Sequence, residues 1–207
     1  MNTTKDFTTL IVEDEAIIAL DIQRRLKKMG YTNSIIKNHS TDAINFLSLH
    51  NPDLVLCDIN IHGELDGIDV AAYTLKHKSI PLIFITALSD QSTLDRAKKT
   101  LPYGYIVKPF TDRDLNSAIE MALYKHNADQ DRLKLCIEKV NRIAINDLSV
   151  REYEILEGVL SGQTNAQIAE LQFISISTVK FHISNILTKL DVKNRASISG
   201  KILELLS

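Results

Sequence analysis

Each of four short apolar runs ends on residues with chemistry to offer. Glu13 and Asp14 follow Thr9-Leu10-Ile11-Val12, and Asp58 follows Leu54-Val55-Leu56-Cys57. Thr86 follows Pro81-Leu82-Ile83-Phe84-Ile85, and Lys108 follows Tyr105-Ile106-Val107. Three carboxylates crowded together repel and raise one another's pKa. A hard divalent cation relieves that crowding, and a site of oxygen donors suits Mg²⁺. The same cation offsets the charge of an incoming phosphoryl group. A carboxylate can then act as nucleophile and form an acyl phosphate. Lys108 supplies a point charge for phosphate oxygens, and Thr86 supplies a hydroxyl donor. Each residue alone has an ordinary reading. An Asp at a strand end commonly caps a helix, Glu13-Asp14 would favour the dipole of a following helix, and Lys108 would be a solvated lysine. Their joint placement behind four apolar runs is what favours a site.

The elements that must position them read as an alternating βα series. Helices are expected over 16–29, stopped by Gly30, and over 41–50, capped by Ser40 or Thr41. Further helices are expected over 68–76, after a loop containing Gly63 and Gly67, over 89–99, and from Thr111 to about residue 124. With a weaker strand at 34–36, five strands alternate with five helices. Strands apolar throughout suit a parallel sheet covered on both faces, joined by right-handed crossovers. In such sheets ligands bind beyond the carboxyl ends of the strands, at the topological switch point.

Residues 125–145 lose the pattern, with the polar stretch His126-Asn127-Ala128-Asp129-Gln130-Asp131, and read as a linker or a helical extension of the fifth helix. After Leu148 everything reads as short helices. Ser149-Val150-Arg151-Glu152 and Thr164-Asn165-Ala166-Gln167 are capping boxes. Ser175 caps a longer helix over 176–190, and a last helix follows Asn194 to about residue 206. Ile176, Val179, Ile183, Ile186, Leu187 and Leu190 form the buried stripe of the 176–190 helix, which leaves Thr178, Lys180, Phe181, Ser184, Asn185 and Thr188 outward or partly so. Two short capped helices before a longer one suggest a helix-turn-helix, whose second helix enters the major groove. A small bundle for protein contacts fits the periodicity about equally well.

Composition sets bounds on these readings. The 207 residues, 44% hydrophobic and 24% charged, suit folded domains. The net charge of −2 requires any nucleic-acid surface to be local. Cys57 and Cys136 form no CxxC pair, which argues against a disulfide framework or a zinc finger; Cys57 reads as a buried strand residue. The polar start and the shortness of the apolar runs point away from a signal core or a membrane span and toward the cytoplasm.

Leu10-Ile11-Val12-Glu13-Asp14-Glu15, Leu54-Val55-Leu56-Cys57-Asp58-Ile59, Phe84-Ile85-Thr86-Ala87 and Tyr105-Ile106-Val107-Lys108-Pro109-Phe110 resemble the receiver family of response regulators over residues 7–124. The resemblance implies a flavodoxin-like fold with Asp58 as phosphoacceptor, charged by a sensor histidine kinase. Glu13, Asp14, Asp58 and the backbone carbonyl of Asn60 would hold Mg²⁺. Thr86 and Tyr105 would form a switch pair, and the Lys108-Pro109 peptide would be cis. Such a protein accepts a phosphoryl group and loses it again without being a turnover enzyme. The alternative, an aspartyl-nucleophile phosphohydrolase, places a second Asp where Asn60 stands. Thr100-Leu101-Pro102-Tyr103-Gly104 replaces the family's commoner Gly-Ala turn.

Leu148-Ser149-Val150-Arg151-Glu152, Gly162, Asn165, Ile168-Ala169 and Ser177-Thr178-Val179-Lys180-Phe181-His182 resemble the DNA-binding domain of the family named for the LuxR and NarL proteins. The resemblance implies a four-helix unit that binds promoter DNA. Lys180, Phe181 and Ser184 would face base edges, Thr178 and His182 would lie near the backbone, and Lys193 and Arg195 would reach phosphates. The last helix would form a homodimer contact in the phosphorylated state. The expected organisation is a receiver at 1–124, a linker at 125–145 and the helix-turn-helix domain at 146–207. The helical part holds six Lys and Arg against seven acids, so weak monomer binding is expected. A phosphorylated adaptor whose helical part binds protein stays open.

Overall fold

A computed structural model of the chain describes residues 7–87 and 90–203, the side chains of Leu135 and Leu203 apart. The chain divides into two compact units, 1–128 and 129–207.

The first unit holds β1 (Thr8–Val12), β2 (Asn33–Lys37), β3 (Leu54–Asp58), β4 (Leu82–Thr86) and β5 (Gly104–Val107) in one sheet of order β2-β1-β3-β4-β5. Every pairing is parallel. Between the strands run α1 (Ala16–Lys28), α2 (Ser40–Leu49), α3 (Gly67–His77) and α4 (Gln91–Lys98), and α5 (Asp112–Asn141) follows β5. Alternation along each strand explains why the runs look uniformly apolar. Leu10, Val12, Val55, Cys57, Leu82 and Phe84 meet residues of α2, α3 and α4 on one face. Ile11, Leu54, Leu56, Ile83, Ile85 and Ile106 meet α1 and α5 on the other. Each such buried side chain contributes roughly 1.5–3 kcal/mol.

Helix starts differ in detail from expectation. At α2 the cap is His39, with no side-chain cap bond. Ser40, expected as a cap, is the first helical residue, and its buried hydroxyl has no partner among the described residues. Asp66 caps α3 by accepting from the amides of Ile68 and Asp69, and Asp69 closes a capping box. Asp90 caps α4 through Thr93; the expected start at Ser89 lies outside the described residues. Gly30, at φ +95°, ends α1 in the left-handed region that favours glycine.

The second unit contains the last turns of α5, then α6 (Val150–Leu160), α7 (Asn165–Leu171), α8 (Ile176–Lys189) and α9 (Arg195–Leu203). Ser149 with Glu152 and Thr164 with Gln167 form capping boxes, and Ser175 caps α8 through Thr178. Leu148, Ile155, Leu156, Ile168, Val179, Ile183, Ile186, Leu190 and Ile198 share one core, against which Leu133, Cys136, Ile137 and Val140 of α5 also pack. Residues 125–141, read as a linker or an extension of the fifth helix, are helical and continue α5.

Candidate functional site

In the first unit, β1 and β3 are neighbours, with β2 beyond one and β4 beyond the other, so chain order reverses between them. A crevice opens there at the carboxyl ends of the strands. Glu13 and Asp14 stand at the end of β1 and Asp58 closes β3. One carboxylate oxygen from each of the three lies within 4.8 Å of the other two. Glu13 is 1% exposed and Asp58 7%. Lys108, one residue past β5, donates from Nζ to Glu13 Oε2 at 2.7 Å and to Asp58 Oδ2 at 2.6 Å. Burial pushes the Glu13 carboxyl above its usual pKa, although the hydrogen bond and charge of Lys108 oppose it. Burial works against the Lys108 ammonium, but its bonds to Asp58 and Glu13 outweigh this and raise its pKa.

The other expected residues fall around this cluster. The Asn60 amide donates to Asp58 Oδ1 at 3.0 Å. Thr86 ends β4, is buried, and donates from Oγ1 to the Ala87 carbonyl at 2.7 Å. Tyr105 on β5 is 39% exposed, with its ring 5.6 Å from that of Phe84. The Lys108-Pro109 peptide is cis. Cys57 is fully buried, its thiol directed at the carbonyls of Asp58 and Gly67. Burial raises its pKa, as suits an inert core thiol.

Two residues beside this cluster are not expected there from the sequence, although Gly67 reads as part of the loop before α3. His62 meets Asp14 Oδ2 twice, through its amide at 3.1 Å and Nδ1 at 2.6 Å. Burial opposes ionisation of Asp14, but these bonds prevail and hold its carboxyl below the usual value. Gly67 is the other. A Cβ there would lie 1.7 Å from the carbonyl oxygen of Asp58, so α3 approaches β3 this closely only through glycine. Three convergent hard oxygen donors, one on a carboxylate that burial disfavours as an ion, fit a small divalent cation.

In the second unit, α8 buries Val179, Ile183 and Ile186, half-buries Asn185 and Leu187, and exposes Ser177, Lys180, Phe181, Ser184 and Thr188; Ile176, expected in the buried stripe, is the first helical residue and stands 47% exposed. Thr178 is half-buried and bonds Ser175 Oγ at 2.7 Å. His182 is half-buried, with Nδ1 enclosed and without a hydrogen-bond partner among the described residues. Arg195 is half-buried, and its guanidinium donates to the Gln163 carbonyl and to Asn165 Oδ1 at 2.8 Å, which ties the start of α9 to that of α7. Lys189 pairs with Glu152 at 2.7 Å, and Arg151 with Glu154 at 2.7 Å. Among the described residues Lys180 and Lys193 make no ion pair. Among the described residues no helix is long and apolar enough to cross a membrane.

A five-stranded 2-1-3-4-5 sheet with an acidic crevice, followed by a capped helix-turn-helix, defines a two-part regulator. Comparison makes this specific. Residues 9–120 match the response regulator receiver domain, and residues 146–199 match the luxR family of bacterial regulatory proteins. The chain is 36% identical over 114 residues to the transcriptional regulatory protein PdtaR of Mycobacterium tuberculosis, a match taking in 55% of this chain and 55% of that protein. It thus spans about half the length of that relative. Over 194 residues it is 32% identical to the transcriptional regulatory protein LiaR of Bacillus subtilis, covering 90% of this chain and 92% of LiaR. Full-length FixJ from B. japonicum superposes with a TM-score of 0.56 over 98% of each chain at 23% identity, a likeness of fold. The chain belongs to the response regulator family, with a receiver domain and a luxR-family domain.

Proposed function

We propose that this protein is a two-component response regulator, phosphorylated on Asp58 by a sensor histidine kinase, which controls dimerisation and sequence-specific binding to promoter DNA. The observation that carries it is the Asp58 carboxylate, held at the sheet's switch point against Lys108 and beside Glu13 and Asp14. Asp58 Oδ attacks the phosphorus of a phosphohistidine. The new P–O bond replaces the P–N bond, and the freed imidazole nitrogen takes a proton from solvent. Glu13, Asp14, Asp58 and the Asn60 carbonyl would hold Mg²⁺, which supplies positive charge against the phosphoryl oxygens. Lys108 Nζ moves its bond from Asp58 to a phosphoryl oxygen. Thr86 Oγ1 exchanges the Ala87 carbonyl for the same group, and Tyr105 turns inward behind it. The phosphoryl group adds about two negative charges, enough to repack the face formed by α4, β5 and α5 and to favour a dimer through α9. Such a dimer reads half-sites about one helical turn apart. On this reading the protein works in the cytoplasm and is not a turnover enzyme.

The test is intact mass after incubation with acetyl phosphate and Mg²⁺. Wild type gains one phosphoryl group and Asp58→Asn gains none. Equal uptake by both would remove Asp58 from the role. The internal pairing of Arg151, Lys189 and Arg195 favours a second reading, in which the helical unit binds protein; failure of the phosphorylated dimer to select any DNA would support it.

A further inference from the structure

His62 lies in the loop between β3 and α3, with its side chain 96% exposed. The ring adds little to any core, and its bond is to Asp14 at the end of β1. Nδ1 meets Asp14 Oδ2 at 2.6 Å, and the His62 amide donates to the same oxygen at 3.1 Å. A carboxylate oxygen offers about two lone-pair sites, so these donors fill Oδ2 and leave Asp14 with Oδ1 for a cation. Glu13 and Asp58 are held less fully. Among the described residues each of their oxygens receives one donor: the Glu15 amide on Glu13 Oε1, Lys108 on Glu13 Oε2 and Asp58 Oδ2, and the Asn60 amide on Asp58 Oδ1. The difference bears on which cation fits. Ca²⁺ takes roughly six to eight oxygens at flexible angles and often both oxygens of one carboxylate. Mg²⁺ is smaller, demands an octahedron, keeps several waters and needs few carboxylate oxygens. An aspartate with one oxygen already filled serves the second ion and not the first.

We propose that His62 is a positioning residue that makes the crevice select Mg²⁺ over Ca²⁺, by holding Asp14 to one free oxygen. The inference rests on the reading of the crevice as the Mg²⁺ site for phosphoryl transfer, and names the residue that sets which cation enters.

The experiment is isothermal titration calorimetry of the full, unphosphorylated chain with MgCl₂ and with CaCl₂, at one pH. Wild type binds Mg²⁺ the more tightly. His62→Ala keeps the backbone donor but frees one site on Oδ2, so Asp14 can turn both oxygens to the larger ion. Its preference for Mg²⁺ falls about tenfold, as is usual when the outer partner of a metal ligand is removed. His62→Asn sets a side-chain N–H where Nδ1 stood and keeps the wild-type preference. Circular dichroism confirms that both variants fold, and a merely structural loss would weaken both ions alike and leave their ratio unchanged. If wild type shows no preference, if His62→Ala keeps the wild-type ratio, or if His62→Asn loses as much as His62→Ala, His62 does not select the cation by this bond while the phosphoryl-transfer reading stands. If wild type binds neither ion, the Mg²⁺ reading of the crevice fails and this inference fails with it.

Discussion

Lys108 holds together two carboxylates from different strands, so its charge serves the fold as well as the chemistry. Replacing it with methionine leaves buried Glu13 facing Asp58 with no cation between them. Removing one partner of a buried pair strands the other's charge. Lys108→Met should cost about 2 kcal/mol, discounted because the lysine is partly exposed. Adding Mg²⁺ should then raise Tm more in the variant than in wild type, since a ligand bound only by the folded state stabilises it. Thermal unfolding with and without Mg²⁺ checks both points, and an unchanged Tm would show that the bridge carries no net stability. The carboxylates and the lysine were legible in the sequence because each directly follows a buried run. His62 was not. It lies in a loop, where no periodicity records which residue folds back, and its meeting with Asp14, 48 positions away, is a product of the fold.

The approach of α3 to β3 makes a sharp prediction among the elements. Gly67→Ala must displace backbone, because its Cβ would overlap the Asp58 carbonyl. The expected loss exceeds about 2 kcal/mol, with slower phosphoryl uptake because the end of β3 moves. Gly30→Ala meets nothing within 4 Å and carries only the strain of its positive φ, about 1 kcal/mol. Urea unfolding of the two variants separates the cases, and equal costs would contradict the geometry. In the helical unit, Glu152 closes the α6 capping box and pairs with Lys189. Burial opposes its ionisation, but those bonds prevail and hold its pKa below the usual value. The stability it contributes is therefore full above its unfolded pKa of about 4.3 and is lost as pH falls from there toward the lower folded value. Hydrogen exchange of α6 amides between pH 6 and 3 should show that loss in wild type and a flatter profile in Glu152→Gln. The strands and capping boxes were readable because burial on two faces and local side-chain caps leave direct marks. The extension of α5 was legible only as one reading of the linker. Residues 125–131 bear no apolar stripe, and the packing residues Leu133, Ile137 and Val140 come only afterwards.

For the whole protein on DNA, the cation inventory sets the salt dependence. Of the cations on α8 and in the turn after it, Lys189 is paired with Glu152, and Lys180 and Lys193 make no ion pair among the described residues, which gives about four phosphate contacts in a dimer. The slope of log affinity against log salt should then be shallow, roughly −4. Lys193→Ala should reduce its magnitude by about 2 in the dimer. Arg195→Ala should leave the slope unchanged and lower the stability of the helical unit instead. Fluorescence anisotropy across a salt series decides this, and a slope that falls with Arg195→Ala would return that residue to the phosphates.

α5 places Leu115, Ile119 and Ala122 in one core and Ile137 and Val140 in another. The boundaries that descent leaves in the sequence therefore differ from those that packing draws. The luxR-family match begins at residue 146, yet a gene segment cut there would encode a product without the side chains that seal its own interior. An autonomous effector fragment would have to begin near Asp129. A recombination joining this effector to another receiver would keep it intact only with the crossover upstream of that residue.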